Sequence, residues 1–256
     1  MGMGPLSAWL HALGERIIAR SGFDKYVAVS QYTAGTCWEA GVPKHMTQLI
    51  YDGLEKDFFD PKKYSGLGVR QQLGIKKDEF IYISYGRAGV TKGIEFMVMA
   101  VPKIKAHLPN SRLLLILDRQ PRRRYEYILK LIEELKIQDG VILLNPRKRN
   151  ELPNYIMAAD CVVVPSLTEG FGFTAAEACL LRRPIVCTTA GSLPEVVWGK
   201  VVKVVPGDAD ALAQGIIRMA KGEYETIPEK DFDWERNCDE YEALYNKLVH
   251  DKPIMT

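Results

Sequence analysis

The sequence predicts an α/β protein built on a doubly wound parallel sheet, and three observations carry that expectation. Six short β-rich runs alternate with longer helical patterns between residues 80 and 205. The runs are continuously apolar rather than alternating, as strands covered on both faces require. Strand followed by helix, repeated, gives βαβ units and hence a parallel sheet.

Taken in order, residues 1–60 stand apart. "PLSAWLHALGERIIAR" (5–20) places Leu6, Trp9, Leu10, Leu13 and Ile17 at helical spacing. A strand is expected at "KYVAVS" (25–30), a helix near 32–40, a strand at "QLIYD" (48–52) and a linker around "FFDPKKYSG" (58–66). This helix-strand appendage is too small for a domain of its own and reads as the last piece of a larger one. Residues 61–232 hold the main domain. Its strands are "FIYISYG" (80–86), "RLLLILD" (112–118), "GVILLN" (140–145), "CVVVPS" (161–166), "PIVCTT" (184–189) and "VVKVV" (201–205). Helices are expected near 93–107, 122–136, 150–159, 174–182 and 208–221, with a kink or early break at Pro102. Residues 233–256 form a closing helix and tail, with Trp234, Cys238, Tyr241, Leu244, Tyr245 and Leu248 on one face.

Composition narrows the function classes. With 256 residues, 47% of them hydrophobic, the chain can bury one large core. A net charge of +2 gives no reason to invoke nucleic acid. Five cysteines without CxxC spacing, three of them in apolar runs, read as buried free thiols in a reducing compartment. No apolar stretch approaches the roughly 20 residues that span a bilayer, and no secretory signal core opens the chain. A cytoplasmic protein is expected, and peripheral membrane contact has no support in the sequence.

In a doubly wound sheet, ligands collect beyond the carboxyl ends of the strands. The loop after the first of the six strands, "YGRAGVTKG" (85–93), offers Arg87, Lys92, Gly86 and two further glycines before a helix N-terminus. Glycines let backbone approach an anion, helix-terminal N–H groups bind phosphate, and an Arg can fork onto two oxygens. A diphosphate fits that inventory; a solvated turn with two surface cations is the alternative. The loop after the fourth, "SLTEGFGFTAAEA" (166–178), sets Glu169 in the loop and Glu177 on the first turn of a helix that Thr174 is expected to cap. A carboxylate accepts hydrogen bonds from two neighbouring hydroxyls, which the vicinal diol of a sugar or ribose presents. Otherwise Glu177 is a surface helix residue and Glu169 merely complements the helix dipole. "DRQPRRRY" (118–125) and "NPRKRN" (145–150) put seven cations on neighbouring loops, either a solvated face or a platform for phosphate, a lipid head group or an acidic partner.

The ordered set "YGRAGVTKG", "ELPNYIMAADCVVVPSLTEGFGFTAAEACLLRRPIVCTTAGSLPEVV" and "VVPGDADALAQGI" resembles the C-terminal, Rossmann-like half of retaining GT-B glycosyltransferases of family 4. The resemblance covers roughly residues 24 to 250. It implies that Arg87 and Lys92 hold the diphosphate of a nucleotide sugar, that Glu177 binds ribose hydroxyls and that Glu169 binds the transferred sugar. Gly86, Gly170 and the backbone of Phe171, Gly172, Phe173 and Thr174 would line the donor. Arg87, Lys92 and Glu169 would serve the reaction itself, with no metal and no resident cofactor. "LDRQP" replaces the family's glycine pair after the second of the six strands, and Asp52-Gly53 its Asn-Gly. The family's N-terminal domain is represented only by its final elements, so a separate N-terminal subunit, or a homodimer through residues 1–40, is the expected partner. A non-catalytic nucleotide-sugar-binding subunit and a nucleotide-sugar epimerase are the competing readings.

Overall fold

The structure, a computed structural model, describes residues 14, 17 and 21–250. The helix expected at 5–20 lies almost wholly outside the described residues. The chain divides into two compact units, one of residues 1–54 with 232–256 and one of residues 55–231.

In the first unit, β1 (Tyr26–Ala28) and β2 (Thr47–Leu49) pair in parallel around α1 (Gln31–Glu39). Ser30 caps α1 in a reciprocal capping box with Thr33. The chain returns to this unit through a bridge between Leu54 and Asp233, and Asn237 donates to the Tyr51 carbonyl at 2.6 Å. A Cβ at Gly53 would lie 2.6 Å from the Trp234 backbone, so that crossing needs glycine. Trp234, Cys238, Tyr241 and Tyr245 of the closing helix line one cavity, in line with the shared face expected, and that face is largely exposed. Leu244 is buried, whereas Trp234 and Tyr245 are 50% and 59% exposed and Cys238 is exposed too.

The second unit opens with a short helix, α2 (Leu67–Gln72), and carries a seven-stranded sheet. Its strands are β3 (Phe80–Arg87), β4 (Ser111–Asp118), β5 (Val141–Leu144), β6 (Cys161–Val164), β7 (Ile185–Thr188), β8 (Gly199–Val204) and β9 (Glu225–Ile227). The intervening helices are α3 (Ile94–His107), α4 (Arg122–Glu134), α5 (Leu152–Ala158), α6 (Phe173–Leu180), α7 (Leu193–Val196) and α8 (Ala209–Ala220), and α9 (Trp234–His250) closes the first unit. The strand order is β5-β4-β3-β6-β7-β8-β9, all parallel except β9, which runs antiparallel to β8. The chain therefore winds outward from β3 to β5 and then reverses between β3 and β6. That is the topological switch point of a doubly wound sheet, where a crevice opens at the carboxyl ends of the strands.

The sheet is the core. Ile81, Ile83, Leu113, Leu115, Leu117, Val163 and Val186 have no exposed surface, nor do Met97, Val101 and Ile104 of α3. Of the kink or early break expected at Pro102, the early break is corrected: α3 runs through the proline to His107. Burial of Val98, Val101 and Ile104 around the proline outweighs the single backbone bond it removes. Three of the five cysteines are buried and all five are free thiols. Burial pushes the thiols of Cys179 and Cys187 up to about 12, which leaves them unreactive.

Candidate functional site

The loops that follow β3 and β6 flank the switch point and are stitched together. Leu167 N–H donates to the Thr91 carbonyl at 2.7 Å. Gly93, at φ 62°, sits against the other loop so closely that a Cβ would meet the Pro165 carbonyl oxygen at 2.1 Å. The loop after β7 clamps from the other side. A Cβ at Gly191 (φ 57°) would lie 2.2 Å from the Glu169 carbonyl oxygen, while Ser192 N–H donates to that oxygen at 3.2 Å and Ser192 Oγ to Phe171 O at 2.7 Å. The Glu169 backbone is thus fixed by the loop of the neighbouring strand.

Two side-chain clusters result. Lys92 Nζ meets Glu169 Oε1 at 2.6 Å, and Ser166 Oγ donates to the same oxygen at 2.7 Å. Close by, Tyr85 OH donates to Glu177 Oε2 at 2.9 Å and lies 3.2 Å from Thr174 O. One cavity is lined by Ser84, Tyr85, Lys92, Ser166, Glu169 and Thr174. Burial pushes the Glu177 carboxyl above the ordinary glutamate range, with the Tyr85 hydrogen bond and the Arg149 charge pulling it partly back. Burial likewise holds the Tyr85 phenol protonated far above its usual value.

Sequence reasoning located Lys92, Glu169 and Glu177 and missed their partners Tyr85, Ser166 and Ser192. Ser166 and Tyr85 both lay within the quoted motifs, but nothing local marked Tyr85, the last apolar-looking residue of its run, as a partner of Glu177. Arg87 ends β3, exposed, and makes no side-chain contact with the cluster among the described residues. Gly86, half-buried, precedes it in β3, and Gly170 is exposed beside Glu169. Phe171 is buried and holds the loop to the core, while Phe173 is 48% exposed and meets it edge-on at 5.2 Å.

Two expectations are corrected. Gly172, not Thr174, is the N-cap of α6, which has no side-chain cap. Glu177 consequently falls on the second turn rather than the first. Most cations of the two basic runs, read as a solvated face or a platform, have partners of their own. Arg122–Arg124 lie on the first turn of α4, where Arg122 pairs with Glu126 and Arg124 with Glu95, each at 2.7 Å. Arg119 donates to Asn145, Arg147 lies over Tyr155, and Arg149 pairs with Glu55 over the Phe58 ring. Carboxylates, rings and the Asn145 amide hold five of the seven cations. Among the described residues no group of three or more His, Cys, Asp or Glu is placed to hold a metal ion, and no helix is long and apolar enough to cross a membrane.

Residues 69–239 match the family described as Glycosyl transferases group 1. The chain belongs to that family. An uncharacterized glycosyltransferase of Methanocaldococcus jannaschii is 29% identical over 188 residues, 72% of this chain and 47% of that protein. A D-inositol 3-phosphate glycosyltransferase of Corynebacterium jeikeium is 31% identical over 235 residues, 86% of this chain and 54% of that protein. This group 1 chain therefore spans about half the length of the curated relatives it matches. The crystal structure of Anabaena Alr3699/HepE in complex with UDP and glucose superposes with a TM-score of 0.79 at 22% identity, over 93% of this chain and 67% of that one. That likeness identifies the fold as the GT-B type.

Proposed function

We propose that this chain is the donor-binding part of a glycosyltransferase that moves a sugar from a nucleotide-diphosphate sugar to an acceptor, with retention of anomeric configuration. The observation that carries the reading is the meeting of Lys92 and Glu169 at 2.6 Å across the switch point, beside the Tyr85-held Glu177. Cation, sugar-type carboxylate and ribose-type carboxylate converge where an α/β sheet binds ligands.

Each residue has a role in this scheme. Lys92, the N-terminal N–H groups of α3 and Arg87 at the rim meet the diphosphate. Glu177 accepts from the ribose diol, and Glu169 from hydroxyls of the sugar. As the bond from the anomeric carbon to the diphosphate oxygen breaks, negative charge grows on that oxygen, and fixed cations stabilise it. The acceptor hydroxyl forms the new bond and gives its proton to the departing diphosphate. Two side-chain cations and a helix terminus answer the diphosphate charge, so we assign no metal to the step. The acceptor wall of the cleft is assigned to a further domain, such as the relatives' additional length supplies. Lys92→Ala in a protein containing both walls is expected to lower kcat by about 10²–10³, as loss of one charge-stabilising donor does. Transfer at the parental rate in that variant overturns the assignment.

A further inference from the structure

The pairing of Lys92 with Glu169 has a consequence for which ligand the site prefers. We propose that this ion pair is an internal exchange contact that favours the intact nucleotide sugar over the spent nucleoside diphosphate and helps expel the latter. The inference rests on the donor-site reading above.

In the structure the two side chains occupy each other. Glu169 is 11% exposed at its side chain, Lys92 29%, and Glu169 Oε1 accepts from both Lys92 Nζ and Ser166 Oγ. A carboxylate so far out of water depends on its donors, because an uncompensated buried charge is costly. When a diphosphate enters, Lys92 is the cation it takes. Glu169 then keeps only Ser166 and faces a second anion across a few ångströms. Two like charges at that range in a partly buried site repel strongly.

The sugar resolves the conflict. Placed between the terminal phosphate and Glu169, it offers hydroxyl donors to the carboxylate in place of Lys92. Intact donor thus compensates every group it disturbs, whereas a nucleoside diphosphate leaves Glu169 without its cation. After the sugar has been transferred, Glu169 draws Lys92 back and weakens the hold on the product. The clamp of Gly191 and Ser192 fixes the Glu169 main chain, so the loop cannot carry the carboxylate away from the diphosphate.

Glu169→Gln tests this. The amide is isosteric and its carbonyl still accepts from Ser166 and Lys92, but it carries no charge to repel phosphate. UDP, GDP and ADP are titrated into the full chain and into the variant by calorimetry, with thermal melts to confirm folding. Whichever nucleotide binds is then compared with its commercially available sugar conjugates. Removing the carboxylate charge is expected to tighten nucleoside diphosphate binding about 3- to 30-fold. The preference for a sugar conjugate over the bare nucleotide should shrink in the same variant. Lys92→Gln should weaken the bare nucleotide, because it removes the cation that the diphosphate takes. Unchanged or weaker nucleoside diphosphate binding in a folded Glu169→Gln chain overturns the exchange contact and leaves the donor site standing. Absence of binding to the parental chain overturns both.

Discussion

Tyr85 is the residue that turns Glu177 from a surface carboxylate into a defined one. Its phenol, buried in β3 and far from ionising, gives its hydrogen to Glu177 Oε2. Because burial raises the folded-state pKa of Glu177, the group stabilises the fold fully only below the ordinary glutamate range. That contribution is lost as pH rises through the raised value. Glu177→Gln should therefore melt higher than the parent at pH 7.5, with the difference vanishing by pH 4; thermal melts across that range check it. Ribose hydroxyls need the ionised carboxylate, so nucleotide affinity should rise over the same interval in the parent and stay flat in Glu177→Gln. Tyr85→Phe removes the hydrogen bond that pulls the carboxyl back down, moving the midpoint of that rise to higher pH. It should also weaken nucleotide binding by about 0.5–1.5 kcal/mol, the net worth of one hydrogen bond. Calorimetric titrations at several pH values read both effects. At this scale the sequence showed the charged residues, since their types and spacing within one loop carry the information. It did not show Tyr85, because which strand residue lies behind Glu177 follows from the β3–β6 register, in which Tyr82 pairs with Cys161.

At the scale of elements, the site depends on three loops approaching more closely than side chains allow. Gly93→Ala would add both a positive-φ strain and a Cβ 2.1 Å from a backbone oxygen that cannot yield. A loss of about 2 kcal/mol or more in chemical-denaturation stability is expected, with nucleotide binding weakened further because the Lys92 loop shifts. Retained stability and affinity in that variant would show that the loops do not need this contact. The six parallel strands were legible because fully buried strands leave continuous apolar runs. β9 was not: Glu225-Thr226-Ile227 is a short polar edge strand, the kind that ends a sheet without inviting further pairing. Pro102 misled because a local helix-breaking signal was set against tertiary packing, and packing won.

For the whole molecule, the fold class and the position of the crevice were readable from the strand-helix alternation, and the family match and the GT-B likeness agree with them. In the proposed scheme the acceptor is held by a second wall, and this chain spans about half the length of its curated relatives. A polypeptide of these residues alone should bind donor yet transfer sugar negligibly, since positioning the acceptor is worth several kcal/mol of the barrier. A radiolabelled-sugar transfer assay with and without the acceptor domain of a relative checks that. The central claim, that Lys92, Glu169, Glu177 and Arg87 form a nucleotide-sugar donor site, is tested most directly by calorimetric titration of UDP, GDP and ADP in excess EDTA. One of the three should bind saturably at one site per chain, and Glu177→Ala should weaken it by about 1.5–3 kcal/mol, the range for hydrogen bonds to a charged group. No binding of any of them to a chain that is folded by circular dichroism would contradict the account.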